Sequence, residues 1–220
     1  MKAIVTGAAS GLGRATAERL VDRGDVVVRV DRNNTMPEPC ELCDVADAES
    51  VHKAIHRARD RLGGLDAVVH CAAINHARKG FAELSVEDWD RVVAVNLLGA
   101  VHVARACLEP LRASRGSVVL VGSVEAYAAS ENFSAYCVSK AGLAMFARCL
   151  AVDEPELRVT LLSPDGMDTP LIKSRQTPEE RQDLMQPEHV ADLILAAIGH
   201  PTDGAVAEIV VRRRRATGGS

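Results

Sequence analysis

The sequence predicts a single α/β domain, a seven-stranded parallel sheet with helices on both faces. Three observations predict it. Short apolar runs alternate with helix-patterned segments from one end of the chain to the other. Those runs are apolar almost throughout, which suits strands covered on both sides. A glycine-rich turn joins the first run to the first helical segment. The 220 residues, 47% of them apolar, are enough for one sizeable core, and neither a linker nor an internal repeat divides them.

Residues 2–6 (KAIVT) form the first expected strand. Residues 11–23 form a helix whose Leu12, Ala15 and Leu20 make an apolar face, and Gly24 ends it. The second strand covers 25–30 and the third 41–45, followed by a helix over 47–62. A strand at 67–71 leads into a long helical region over 87–112. Then come a strand at 117–122 and a helix near 135–153. Strands at 158–162 and 205–211 complete the sheet, with a helix over 187–198 between them. Alternation of this kind requires right-handed crossovers. There are two departures. Only about ten residues separate the second and third strands, too few for a full crossover helix. The segment 166–186 is polar, rich in Pro, Thr and Glu, and reads as a loop or mobile lid.

The 26 basic and 30 acidic residues give a net charge of −4. A mildly acidic body is poorly suited to phosphate backbones, so nucleic acid is not an expected partner. No stretch approaches the roughly 20 apolar residues that span a bilayer, and the residues before Gly7 are too few for a signal peptide. A cytoplasmic protein is expected, with Cys40, Cys43, Cys71, Cys107, Cys137 and Cys149 as free thiols. Cys40 and Cys43 form a C-x-x-C without a second ligand pair and on an expected strand, so they read as packing residues and no metal site is expected. The arginine run 212–215 reads as a solvated or partner-contacting tail.

The first strand runs directly into Thr6-Gly7-Ala8-Ala9-Ser10-Gly11-Leu12-Gly13, which opens the first helix. Glycines there permit a tight turn and let backbone N–H groups approach a pyrophosphate, to which the helix N-terminus adds its positive dipole end. Tyr136 and Lys140 lie four apart on a helix and share a face. A free tyrosine, with a pKa of about 10, is a poor base near neutrality. A neighbouring ammonium favours the phenolate and lowers that pKa. Such a tyrosine gives a proton to a carbonyl during reduction or takes one from an alcohol during oxidation. Ser123 can hold the same oxygen through its hydroxyl. The plainer alternatives are a packed aromatic for Tyr136 and a strand-end cap for Ser123.

The spacing T-G-x-x-x-G-x-G resembles the short-chain dehydrogenase/reductase family, and further matches follow in family order. Asp44-Val45 resembles the pair that touches the adenine ring, and His70-Cys71-Ala72-Ala73 stands where the family usually has N-N-A-G. Asn96 in V-N-L-L-G matches the family's helical asparagine. Ser123 follows the fifth strand, and Tyr136 opens a Y-x-x-x-K thirteen residues later. The resemblance covers almost the whole chain. It implies a single-domain Rossmann fold and nicotinamide-dependent interconversion of a secondary alcohol and a ketone, with hydride from the cofactor. It implies a catalytic set of Asn96, Ser123, Tyr136 and Lys140. Lys140 also holds the nicotinamide ribose, and Asn96 anchors a water in a proton relay. A plain packing or back-bonding role is the other reading of Asn96.

The implied cofactor site joins Gly7, Ser10, Gly11, Leu12 and Gly13 of the turn to Asp44, Val45 and the Cys71, Ala72, Ala73 segment, beside Tyr136 and Lys140. Ala73 in place of glycine is the least costly replacement and reads as altered packing. In Ser163-Pro164-Asp165-Gly166-Met167-Asp168-Thr169 an aspartate stands where the family's P-G has glycine. Pro164, Met167 and Thr169 are then the contacts expected at the nicotinamide end. Asp165 is either a turn aspartate or a substrate contact. The second strand ends at Asp31, whose carboxylate suits the ribose hydroxyls of NAD and repels the 2′-phosphate of NADP. Arg32 either contacts a 2′-phosphate or points to solvent. NAD is therefore expected, with NADP second.

The expected pocket wall holds His76, Glu125, Tyr127, Asn132 and Asp165 near Ser123. Aromatics make up only 3% of the chain, so a stacked aromatic substrate has few partners. A small hydroxylated or amine-bearing molecule is expected. The long helical regions resemble those of the family's four-helix interface, which implies a homotetramer or homodimer. Two other functions stay in view. Epimerases and dehydratases among extended relatives are usually longer and have a different glycine spacing. A regulator that binds the cofactor without turnover typically lacks the tyrosine or lysine.

Overall fold

The computed structural model describes residues 1–173, 183–199 and 204–214. Residues 174–182 of the expected lid and Arg215 of the arginine run lie outside the described residues.

Seven strands form one parallel sheet: β1 (Lys2–Thr6), β2 (Val26–Asp31), β3 (Cys40–Leu42), β4 (Ala67–His70), β5 (Ser117–Val121), β6 (Arg158–Pro164) and β7 (Glu208–Val211). Their spatial order is β3-β2-β1-β4-β5-β6-β7. The order reverses between β1 and β4, which pair in register from Ala3 with Ala67 to Thr6 with His70. A crevice opens at such a reversal beyond the carboxyl ends of the strands. The helices are α1 (Gly11–Asp22), α2 (Ala48–Leu62), α3 (Val86–Val93), α4 (Gly99–Ser114), α5 (Ser134–Asp153), the short α6 (Pro170–Lys173) and α7 (Pro187–Ile198).

The five inner strands β1, β2, β4, β5 and β6 supply both cores because successive side chains point to opposite faces. Ile4, Val28, Val68, Val118 and Leu120 face one layer with Val51, Ile55, Val103, Cys107 and Leu143. Val5, Val27, Val69 and Val119 face the other with Leu12, Leu20, Val190 and Ile194. Local signals set the helix ends. Asp47 accepts from the backbone N–H groups of Glu49 and Ser50 to start α2, and Gly63 ends it at φ 62°. Ser85 starts α3 by accepting from the Asp88 N–H.

Three expected elements differ. β3 ends at Leu42 rather than 45, because Asp44 folds into a turn, its carboxylate accepting from the Ala46 N–H at 3.0 Å. The expected helix over 87–112 is two helices joined by a π-helical turn, Ala94–Leu98. α6 and an isolated bridge between Met167 and Met185 give structure to part of the expected loop. Contrary to the sequence expectation, Val86–Ser114 and Ser134–Asp153 are long and apolar enough, by length and composition alone, to cross a membrane. Both pack against the sheet, as core helices do.

Candidate active site

Two cavities, of about 220 and 180 Å³, open at the carboxyl ends of the strands and share Met167, Thr169 and Leu171, so the contents of one meet the contents of the other. The larger one lies over the β1–α1 turn and is lined by Gly7, Ser10, Gly11, Leu12 and Gly13. Gly7 has φ 68°, and a Cβ on it would stand 2.7 Å from the Ala72 nitrogen, so only glycine lets this turn close on the end of β4. A Cβ on Gly13 would meet the Gly7 carbonyl oxygen at 2.2 Å. Ser10 at the N-cap makes no side-chain hydrogen bond to the first turn of α1, and that turn carries no acidic residue. Its N–H groups and positive dipole end therefore suit a phosphate, and the cradle fits a dinucleotide.

Asp31 lines the same cavity at the end of β2. Its carboxylate accepts from the Ala9 N–H at 3.0 Å and the Asn33 N–H at 3.0 Å, which fixes its direction. Arg32, Asp44, Val45, Cys71, Ala72 and Ala73 also line this cavity. Asn33, Cys43, Ile74 and Val95 join them without having been singled out in the sequence. Each is the chain neighbour of a residue that was. All six cysteines are free thiols, and burial pushes Cys43 up to about 11 and Cys71 and Cys107 up to about 12.

Ser123 and Tyr136 line the smaller cavity together with Pro164, which lies there rather than in the cofactor cleft. Ser123 caps a short 3-10 turn and accepts from the Glu125 N–H at 3.2 Å. Tyr136 is buried and stacks on Phe133 with ring centres 4.5 Å apart. Lys140 lies one helical turn further on, with Nζ 5.7 Å from the Tyr136 ring centre. Its ammonium is 2% exposed, lines neither cavity and donates to the Val121 carbonyl at 2.8 Å, the acceptor nearest to hand at the end of β5. Burial lowers its pKa to about 8, against a smaller upward pull from Cys71. His70 at the end of β4 is also fully buried. Burial first, and then the Lys140 charge, lower its pKa to about 3, so the imidazole is neutral. Its Nδ1 meets the Thr6 hydroxyl at 2.9 Å.

Asn96 sits in the π-helical turn with no exposed surface. Its Oδ1 accepts from the Ile74 N–H at 2.8 Å, and its Nδ2 donates to the Ile74 carbonyl at 2.9 Å and the Ser139 hydroxyl at 3.1 Å. Both amide donors and one oxygen lone pair are thus engaged. The side chain pins the strand-following segment to the helix break. These contacts are the ones that the packing reading of Asn96 calls for.

The substrate wall differs from expectation. Ser123, Glu125 and Asp165 line the cavity, but His76, Tyr127 and Asn132 do not. His76 turns its Nδ1 to the Ala77 carbonyl and packs its ring, tilted by 51°, against Phe133. Tyr127 reaches across to Ser163 and Glu208. Asn132 takes a turn at φ 58°. In their place stand Asn75, Arg78, Phe133, Leu171, Ile172 and Arg213. Arg213 belongs to the run expected to be a solvated tail, and it is drawn in by Asp165 at 3.2 Å.

A glycine cradle at the reversal point of a parallel sheet, beside a second cavity lined by a serine and by a tyrosine with a buried lysine behind it, defines a dinucleotide-binding oxidoreductase. The profile of the short chain dehydrogenase family matches residues 1–180, and the chain belongs to that family. It is 34% identical to cis-4-hydroxycyclohexanecarboxylate dehydrogenase of Sinomonas cyclohexanicum over 87% of this chain and 86% of that protein. An uncharacterised oxidoreductase of Staphylococcus epidermidis is 27% identical, with 96% of both chains covered. Among solved structures, ligand-free aldohexose dehydrogenase of Thermoplasma acidophilum superimposes with a TM-score of 0.88 at 27% identity, covering 96% of this chain and 91% of that one. The alcohol dehydrogenase of Thermococcus sibiricus, complexed with 5-hydroxy-NADP, gives 0.88 at 26% identity, covering 96% and 95%. The family binds nicotinamide cofactors.

Proposed function

We propose that the protein reversibly oxidises a small secondary alcohol to a ketone with NAD. The observation that carries this reading is the placement of Ser123 and Tyr136 on a cavity that adjoins the glycine-lined cleft, with the Lys140 ammonium beside the tyrosine ring. The bound nicotinamide accepts or supplies the hydride. Gly7, Gly11 and Gly13 let the backbone approach the pyrophosphate, and the N-terminus of α1 faces it. Ser123 holds the substrate oxygen, Tyr136 takes or gives its proton, and the Lys140 charge favours the phenolate form of Tyr136. Asp31, fixed by two backbone N–H groups, supports NAD because its carboxylate accepts from ribose hydroxyls and repels a 2′-phosphate.

The cavity wall supports a substrate with an apolar body, since Val124, Phe133, Leu171 and Ile172 line it. The motive for a polyol weakens, because three of the polar residues behind it lie elsewhere. A second copy of the chain is the proposed partner. Val138, Met145 and Val152 recur every seventh residue on α5 and are 53%, 55% and 78% exposed, a stripe that suits helix pairing in a dimer or tetramer.

Tyr136→Phe removes the proton donor alone. It is expected to lower turnover by about 10²–10⁴-fold while cofactor binding, followed by nicotinamide fluorescence, changes little. A variant that keeps more than about a tenth of the wild-type rate would sink the assignment.

A further inference from the structure

We propose that the substrate carries a carboxylate, held at the rim of the smaller cavity by Arg78 and Arg213. This deepens, and rests on, the alcohol–ketone reading. Both guanidinium groups line the cavity that contains Ser123 and Tyr136, although they come from segments 135 residues apart in the chain. Arg78 lies 4.6 Å over the Phe133 ring and gives one N–H to the Glu131 carbonyl at 2.8 Å. Among the described residues Arg78 forms no ion pair within 4.0 Å, and Glu125, an acid on the same wall, is turned to Ser130. Phe133 in turn stacks on Tyr136, so the guanidinium, the phenyl ring and the reacting phenol are in one chain of contacts.

Arg213 is held differently. Its Nε lies 3.2 Å from Asp165 and its backbone N–H donates to the same carboxylate at 3.4 Å. Asp165 is itself fixed by the Gly166 N–H at 2.7 Å, and its own N–H donates to the Val211 carbonyl at 2.8 Å. The aspartate that replaces the family's glycine is therefore a positioning residue, turning Arg213 from the end of β7 into the cavity. Its closest approach to Asp165 is through Nε, and the guanidinium carries further N–H donors on its terminal nitrogens.

The charges select among ligands. Glu125, the remaining acid on the wall, accepts from the Ser130 hydroxyl at 2.6 Å and the Cys137 thiol at 3.6 Å, so its carboxylate is already engaged. An amine would meet two guanidinium groups. A phosphate dianion would find one of them, Arg213, already sharing its charge with Asp165. A carboxylate, singly charged and planar, matches a guanidinium fork. The ligand class is thus a hydroxy acid or keto acid with an apolar body between its reacting carbon and its carboxylate.

The test compares secondary hydroxy acids with their methyl esters, using NAD and the intact enzyme. Each acid should exceed its ester about tenfold in kcat/KM, the scale of one charged contact. Arg78→Ala and Arg213→Ala should each bring the acid-to-ester ratio towards one, and Arg213→Lys should restore part of it. An acid-to-ester ratio near one in the unmodified enzyme would overturn the proposal, as would variants that lose acid and ester equally. A second measurement does not need turnover. Phenylglyoxal modification of Arg78 and Arg213, mapped by peptide mass spectrometry, should be slowed by cyclohexanecarboxylate and not by cyclohexanecarboxamide. Equal protection by the carboxamide or by inorganic phosphate would overturn the carboxylate assignment. Failure of every alcohol to turn over would instead overturn the oxidoreductase reading, and the protection result would stand apart from it.

Discussion

Lys140 is a buried ammonium that, among the described residues, forms no ion pair with a carboxylate. The titratable groups that face it are a neutral His70, the Cys71 thiol and the Tyr136 phenol, and it donates to the Val121 carbonyl. Burial lowers its pKa from 10.5 to about 8. The folded protein therefore holds fewer protons than the unfolded chain between those values, and stability rises with pH across that window. Integrating the linkage, burying this side chain costs the folded state about 3 kcal/mol at pH 7 and about 2 kcal/mol at pH 9, a difference of about 1 kcal/mol. Lys140→Met keeps an unbranched side chain and removes the titration. Urea unfolding of the cofactor-free protein at pH 7, 8 and 9 should show the wild type gaining about 1 kcal/mol relative to the variant over that range. The buried thiols of Cys43, Cys71 and Cys107 act in the opposite direction, because their raised pKa values stabilise the fold only while the unfolded thiols remain protonated. They are present in both proteins and cancel in the difference. Stability curves that run parallel from pH 7 to 9 would refute the reasoning.

Asp31→Ser removes the carboxylate proposed to meet the ribose hydroxyls and leaves Arg32 on the same cavity. The wild type should prefer NAD by about tenfold in kcat/KM, or ~1.4 kcal/mol, and the variant should narrow that gap; equal use of NADP by the wild type counts against the assignment. Met145→Glu places a charge in the exposed stripe of α5, and light scattering should show a smaller assembly than the wild type. A wild type that is monomeric at micromolar concentration removes the dimer and tetramer from consideration.

The parts of the site that could be read from sequence are those built from neighbours in the chain. The glycine turn is one strand–turn–helix, and Tyr136 and Lys140 are one helical turn apart, so spacing alone fixes their geometry. Asp31 was legible because it closes a strand. Direction was harder. His76 and Asn75 are adjacent, yet only Asn75 lines the cavity, its amide donating to the Leu171 carbonyl at 2.8 Å. Asn132 was misplaced because its left-handed turn follows from local backbone geometry that composition does not reveal. The break at Asn96 depends on an amide gripping Ile74 from 22 residues away, and no helical periodicity reports that. Arg78 and Arg213 carried no signal at all, since only the folded sheet brings them together.

The two cavities divide the sheet between them. The ends of β1, β2 and β4 and the first turn of α1 serve the larger one, through backbone groups and residues whose spacing is local. The smaller one takes Ser123 after β5, Pro164 at the end of β6, Arg213 after β7 and Arg78 from the loop after β4. Short-range motifs survive substitution elsewhere, whereas a specificity group such as Arg213 depends on one pairing, Asp165, and on where a terminal strand ends. A relative can therefore keep the cofactor cleft and the serine–tyrosine–lysine set while changing its substrate through two or three side chains. The proteins that share this fold at about 0.88 TM-score and 26–27% identity bear the names of an aldohexose dehydrogenase and an alcohol dehydrogenase, which is the spread such an arrangement allows. The exchange of glycine for Asp165 is the kind of single change that recruits a distant arginine, and through it a new class of substrate.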